Sequence, residues 1–294
     1  KIMAIIEVNH LQKNFKIYKR PKGTLNAVKS LFVRNYEIKE AVRDVSFSIE
    51  PGEMVGYIGA NGAGKSTTIK MLSGILVPTS VNGILPYRNR KENAQNIGIV
   101  FGQRSQLNWD LPMEDTFQLY KQMYHIDDKT FQKNVSMFTE LLAMESFLRK
   151  PVRQLSLGQK MRAELAIAML HNPQILYLDE PTIGLDVLVK DHIRTFIREL
   201  NKEQHTTVIL TTHDMKDIDT ICDRVIFIDK GVVLADSSLE KFKNSHSESY
   251  FIRILYEHQK QPVNYSGVLC VAEKEHDVTY QVDKRAMSVN AFLQ

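Results

Sequence analysis

Short apolar runs bounded by turn residues recur along the 294 residues and read as buried strands. They are Met54 to Ile58 behind the Pro51-Gly52 turn, Ile97 to Phe101, Gln174 to Leu178, Val208 to Leu210, and Val225 to Ile228. Period-two alternation predicts two more, on Ile5, Ile6 and Val8 within residues 1–12 and over Val45 to Ile49. Helical spacing falls between them. It covers Thr67 to Ser73, stopped by Gly74; a helix-rich stretch over 110–150 with Phe117, Tyr120, Met123 and Tyr124, then Val135, Phe138 and Leu142; Ser156 to His171; and 187–202. Leu25, Val28, Phe32 and Tyr36 also recur near helical spacing, which predicts a helix covering one sheet edge with a charged outer face. Strands alternating with helices predict an α/β domain with a largely parallel sheet. From about Ser245 short alternating runs such as Tyr250 to Leu255 predict a small β-rich appendage. The expected organisation is a core over 1–243, carrying a basic insertion at 13–43 and a helical subdomain at about 104–160, followed by an accessory region over 244–294.

Hydrophobic residues make up 43% and charged residues 24%, values that exclude a mainly disordered chain or a disulfide miniprotein. No run approaches the roughly 18 apolar residues of a membrane span. The two cysteines, Cys222 and Cys270, suit a reducing compartment. No secretion signal is seen, so the expectation is a cytoplasmic chain. The net charge is +4, but residues 13–43 hold nine basic and two acidic residues, leaving the remainder negative. Basic character this local is unlike the extended groove of a nucleic-acid enzyme, so no nucleic-acid partner is expected.

Gly59-Ala60-Asn61-Gly62-Ala63-Gly64-Lys65-Ser66 has the phosphate-loop pattern between an apolar strand and a helix opening at Thr67. Its glycines let backbone N–H groups turn inward as an anion nest at a helix N-terminus. Lys65 then reaches the outer phosphates, and Ser66 offers a hydroxyl to Mg²⁺. Asp179 and Glu180 end an apolar strand. Alternation sends adjacent strand side chains to opposite faces, so Asp179 is assigned to the Mg²⁺ shell and Glu180 to the attacking water. One such loop and no internal repeat predict a single nucleotide-binding unit.

With Leu155-Ser156-Leu157-Gly158-Gln159 just ahead of the Asp-Glu strand, the chain resembles the ATP-binding cassette family, whose signature is typically Leu-Ser-Gly-Gly-Gln. Leu157 departs from that pattern; Ser156, Gly158 and Gln159 match it. The resemblance extends over roughly residues 3–243. It implies a phosphate-loop ATPase core with an antiparallel β subdomain and a helical subdomain. Gln103 resembles the glutamine linking Mg²⁺ and attacking water to the helical region, Gly184-Leu185-Asp186 the D-loop, with Asp186 among the implied ATP-binding residues, and His213 the switch histidine at the γ-phosphate. The resemblance also implies an aromatic stacked on adenine. Counting back from Asp44 selects Tyr36, with Phe15 and Tyr18 as competitors.

The resemblance implies binding and hydrolysis of ATP with Mg²⁺ by two subunits, identical or paralogous, each completing the other's site with its signature motif. It also implies a separate transmembrane permease, with Leu107, Trp109, Asp110 and Leu111 as the docking surface and the chain peripheral on the cytoplasmic face of the membrane. The basic insertion suggests contact with lipid headgroups or a membrane protein. The wording around Gln103 and Asp186 resembles exporter-type cassettes. An importer subunit is the nearest alternative, and a soluble cassette acting on DNA or ribosomes a more distant one.

Overall fold

The computed structural model describes residues 4–18, 36–82, 90–102, 105–246, 249–255, 265–274 and 277–283. The chain divides into two compact units, 1–236 and 237–294. The strands of the first are β1 (Ile6–Tyr18), β2 (Tyr36–Ile49), β3 (Met54–Gly59), β4 (Ser80–Asn82), β5 (Ile97–Phe101), β6 (Ile175–Asp179), β7 (Thr207–Thr211), β8 (Arg224–Asp229) and β9 (Val232–Ser238), the last of which runs across the boundary at 236. They form one sheet in the order β4-β1-β2-β9-β8-β3-β7-β6-β5. The run β8-β3-β7-β6-β5 is parallel throughout, while β1 pairs antiparallel with β2 and β4. β3, β6 and β7 are almost wholly buried. Covered on both faces, such strands read as continuous apolar runs rather than alternating ones.

The helices are α1 (Lys65–Leu72), α2 (Arg90–Asn96), α3 (Met113–Tyr124), α4 (Asp128–Leu141), α5 (Leu157–Met169), α6 (Val187–Gln204), α7 (Met215–Ile221) and α8 (Leu239–His246). Their starts follow capping chemistry. The side chains of Asp127, Ser156, Asp186 and Asp214 accept hydrogen bonds from the first turns of α4, α5, α6 and α7. One core cluster joins Val8, Val45, Tyr57, Ile69, Tyr177 and Ile226, so β1, β2, β3, β6, β8 and α1 pack around the phosphate loop's base.

The second unit contains a three-stranded antiparallel sheet of β10 (Ser249–Leu255), β11 (Val268–Lys274) and β12 (Asp277–Asp283), ordered β10-β12-β11. Val278, Tyr280 and Val282 supply its buried face at period two.

The first two strands are longer than the alternation predicts. β1 runs on to Tyr18 and β2 starts at Tyr36, with the two residues opposite each other in register. Tyr36 therefore lies on a strand, and the helix predicted over Leu25 to Tyr36 does not include its last residue; Leu25, Val28 and Phe32 lie outside the described residues. The reason is physical. Phe15, Ile17, Tyr18, Tyr36 and Ile38 are all substantially exposed, so this arm of the hairpin has no fully buried face to impose an alternating pattern.

Candidate active site

The carboxyl ends of parallel strands line up at one sheet edge, and the crevice beyond that edge is where α/β sheets bind ligands. Phe101 pairs with Asp179 and Asp179 with Thr211 in register. The loops after β3, β5, β6 and β7 therefore converge. One cleft is lined by Asn61, Gly62, Gly64, Lys65, Ser66, Thr67, Asp179, Glu180 and His213, with Phe101 and Gly102 at its side.

The phosphate loop has the geometry its glycines allow. Gly64 caps α1 with φ of 109°, and an added Cβ there would stand 2.7 Å from the Ala41 carbonyl oxygen. Any larger residue would be strained and in contact with backbone. Ala63 is buried beside it, and Gly59 begins the loop at the end of β3. Lys65 is buried and folds back, donating to the Gly59 carbonyl at 2.7 Å and the Ala60 carbonyl at 3.1 Å. The ammonium group is thus held over the nest by acceptors that a phosphate would outcompete.

Asp179 accepts from the Ser66 hydroxyl at 3.0 Å and from the Thr211 hydroxyl at 2.6 Å, both on Oδ1. Glu180 stands on the other side. Its carboxylate Oε1 lies 2.8 Å from Nε2 of His213. The two acids diverge for a reason other than strand alternation: β6 ends at Asp179, and Glu180 takes a left-handed conformation with φ of 60°. Strained backbone of this kind persists where the surroundings over-determine it. Here the Glu180 amide donates to the Thr211 carbonyl at 2.9 Å, and the Gly102 amide donates to the Asp179 carbonyl at 2.8 Å. Burial pushes the Glu180 carboxyl above its ordinary range, while His213 and Lys65 pull it back and Asp179 and Asp217 push it up. A carboxylate raised in this way is a better proton acceptor at neutral pH.

The remaining predicted residues separate. Gln103 lies outside the described residues. Tyr36 is not among the residues lining the cleft; its ring packs edge-on against Tyr18 at 6.2 Å, under the Lys16 ammonium. Phe15 and Ile17, on the hairpin face that carries Lys39, do line it. Of the three candidate aromatics, Phe15 lines the cleft, and Tyr18 and Tyr36 are not among its lining residues. Ser156, Gly158 and Gln159 are also absent from its lining. Ser156 and Gln159 form a reciprocal capping box at the start of α5, and Leu157, 51% exposed, leaves that box intact. Asp186 caps α6 through the Val189 amide at 2.9 Å. Of the predicted docking residues, Leu107 is buried, whereas Trp109 is 58% exposed with Lys160 over its ring at 4.5 Å. Asp110 pairs with Arg153.

Sequence reasoning passed over Thr211, although its position opposite Asp179 in a parallel pair is the signal that finds it. It also passed over Thr182, Arg194 and Asp217, which carry no motif of their own.

Residues 42–183 match the family model described as ABC transporter. The chain is 31% identical over 226 residues to the ABC transporter ATP-binding protein NatA of Bacillus subtilis (strain 168), covering 76% of this chain and 92% of that one. It is 34% identical over 204 residues to the linearmycin resistance ATP-binding protein LnrL of the same organism, covering 68% of this chain and 65% of that one. The cholesterol transporter ABCA5 of Homo sapiens is 33% identical over 220 residues, 74% of this chain but 13% of that longer protein. Among solved structures, a dimeric post-hydrolysis state of the ATP-binding cassette MJ0796 bound to ADP and Pi is similar with a TM-score of 0.65. That likeness has 25% identity and covers 79% of this chain and 98% of that one.

Proposed function

The chain belongs to the ABC transporter family as one of its ATPase subunits, and on that premise we propose that it drives an exporter-type permease through Glu180-dependent ATP hydrolysis. The observation that carries the hydrolysis in this reading is the Glu180–His213 pair at 2.8 Å facing Lys65 across one cleft. Phosphoryl transfer needs a positioned water, a group to take its proton and cations around the transferred phosphoryl. Glu180 holds the water and accepts the proton on its carboxylate. His213 fixes that carboxylate and contacts the γ-phosphate. Lys65 exchanges its two carbonyl acceptors for phosphate oxygens, and the amides of the loop from Gly59 to Thr67 hold the rest of the triphosphate.

The oxygen set fits Mg²⁺. The Ser66 hydroxyl and the Asp179 carboxylate are neighbours at 3.0 Å, and hard oxygen donors with phosphates are the usual Mg²⁺ environment. Ser66 and Asp179 would hold the ion together with Gln103. When bound, it neutralises charge on the β- and γ-phosphates.

A second subunit brings its signature residues Ser156, Gly158 and Gln159 to this cleft, which the chain's own copy does not line. Closure of two subunits around ATP and reopening after hydrolysis then move a separate permease. Among the described residues no helix is long and apolar enough to cross a membrane. We place the chain peripherally, on the cytoplasmic face. Trp109 and Asp110 offer a docking point, and the basic segment 13–43 reaches lipid headgroups or the permease. The export direction is supported by the resistance function in the name of LnrL and by the wording around Gln103 and Asp186.

The test is purification from native membranes in mild detergent. A polytopic membrane protein in fixed ratio, together with ATP-dependent loading of inside-out vesicles, is the expected result. Dependence on a solute-binding protein would indicate import, and co-purified ribosomes or nucleic acid would overturn the transport reading.

A further inference from the structure

Behind the catalytic pair lies an ionic cluster that no motif marks, buried at Arg194 and Asp217 and exposed at Lys216 and Asp191. Arg194 on α6 is 2% exposed and Asp217 on α7 is fully buried. Arg194 Nε donates to Asp217 Oδ1 at 2.7 Å. The other oxygen of Asp217 accepts two hydroxyls: Thr182 Oγ1 at 2.5 Å and Thr212 Oγ1 at 2.8 Å. Thr182 follows Glu180 by two residues, and Thr212 immediately precedes His213. Arg194 reaches further, to Asp191 at 2.7 Å and to Asp214, the residue after His213, at 3.2 Å. Lys190 and Lys216 complete the cluster with contacts to Asp214 and Asp191 at 2.8 and 3.4 Å. Three cations thus face three carboxylates.

We propose that Arg194 and Asp217 are positioning residues that lock the Glu180 and His213 loops to one carboxylate, so that the two catalytic side chains keep their mutual register. Neither residue lines the cleft; Asp217 acts through Thr182 and Thr212, and Arg194 through Asp217 and Asp214. The inference rests on the catalytic reading of Glu180 and His213 given above. The physical argument is one of economy of contacts. A buried ion pair is seldom a net source of stability against an apolar replacement, so its retention calls for another role. Two hydroxyls on a single oxygen cannot shift independently, whereas two loops held by separate partners could. Catalytic geometry tolerates little slack, since a misplacement of about 1 Å can cost roughly a hundredfold in rate.

The experiment uses the full chain and steady-state ATP hydrolysis. Thr182→Val and Thr212→Val keep side-chain volume and remove one hydroxyl each; Thr182→Ser and Thr212→Ser keep the hydroxyl. Each valine variant should lower kcat roughly tenfold or more, with KM for ATP within about twofold, and each serine variant should restore kcat. The double valine variant should lose little beyond Thr212→Val alone, because both hydroxyls serve one acceptor and Thr212 also accepts from the Asp214 amide at 3.0 Å. Glu180→Gln is the control. If it abolishes turnover while the valine variants retain normal kcat, the positioning role is overturned. Equal losses in the serine and valine variants, tracking a fall in Tm, also overturn it, since that is what packing alone would give. Normal turnover in Glu180→Gln instead overturns the catalytic reading, a distinct result.

Discussion

The Glu180 carboxylate and the His213 imidazole face each other at 2.8 Å, one just beyond β6 and the other just beyond β7. Their backbones are tied as well, since the Glu180 amide donates to the Thr211 carbonyl at 2.9 Å. Glu180 therefore sits in a left-handed conformation that aims its side chain into the cleft and away from Asp179.

Glu180→Gln keeps the shape and the left-handed backbone but removes the proton acceptor. ATP binding should stay within about twofold, while hydrolysis falls by roughly a hundredfold or more, the usual weight of a general base. Equilibrium binding of a fluorescent ATP analogue alongside phosphate release separates the two effects. Near-normal release would remove Glu180 from its role.

The pH profile of hydrolysis tests the same pair. Burial holds the Glu180 carboxyl above its ordinary range and His213 pulls it down. The base works deprotonated, so the rate should fall as pH drops through that raised value. Replacing His213 with alanine removes the downward influence, and the acid limb of the residual activity should move to higher pH. A limb that stays put, or moves lower, would contradict this electrostatic coupling.

Phe15 and Tyr36 make opposite predictions about nucleotide affinity. Phe15 lines the cleft, and Tyr36 packs on Tyr18 at the outer end of the hairpin. Phe15→Ala should weaken ATP binding about tenfold, the scale of a lost base–aromatic stack. Tyr36→Ala should leave it nearly unchanged. Titration of both variants with ATP and with inorganic triphosphate checks the assignment, because loss of a base contact should spare the triphosphate.

The parallel strands and the phosphate loop were legible because burial on both faces and phosphate chemistry each restrict residue choice strongly. Met54 to Ile58 and Ile97 to Phe101 admit only apolar residues, and Gly64 only glycine. The hairpin arm from Phe15 to Tyr18 and from Tyr36 to Ile38 was not legible, since its side chains are largely exposed and any periodicity is accidental. Tyr36 was selected by a count back from Asp44, which the insertion upstream of it blurs. The opposed directions of Asp179 and Glu180 were anticipated, but through strand alternation; a left-handed turn produces them. Arg194 and Asp217 were invisible for another reason: a buried ion pair depends on two helices meeting, and neither residue's neighbours in sequence announce it.

His171 links acid conditions to stability. Its ring stacks on Tyr124 with centroids 3.9 Å apart, and its Nε2 donates to the Ile97 carbonyl at 3.1 Å. Its Nδ1 is buried with no hydrogen-bond partner among the described residues. Burial outweighs the carbonyl contact and lowers its pKa from 6.5 to about 4. Above pH 6.5 the ring is neutral in folded and unfolded chains alike, and no stability depends on it. As pH falls towards 4, the unfolded chain takes up a proton that the folded chain refuses, so stability should drop, by about 3 kcal/mol in all, and then level off. His171→Phe keeps an aromatic face for Tyr124 and removes the titration. Urea midpoints of both proteins at pH 7.5 and 5 provide the measurement. The wild type should lose more stability than the variant over that interval, and equal losses would show that His171 is already able to protonate in the folded chain.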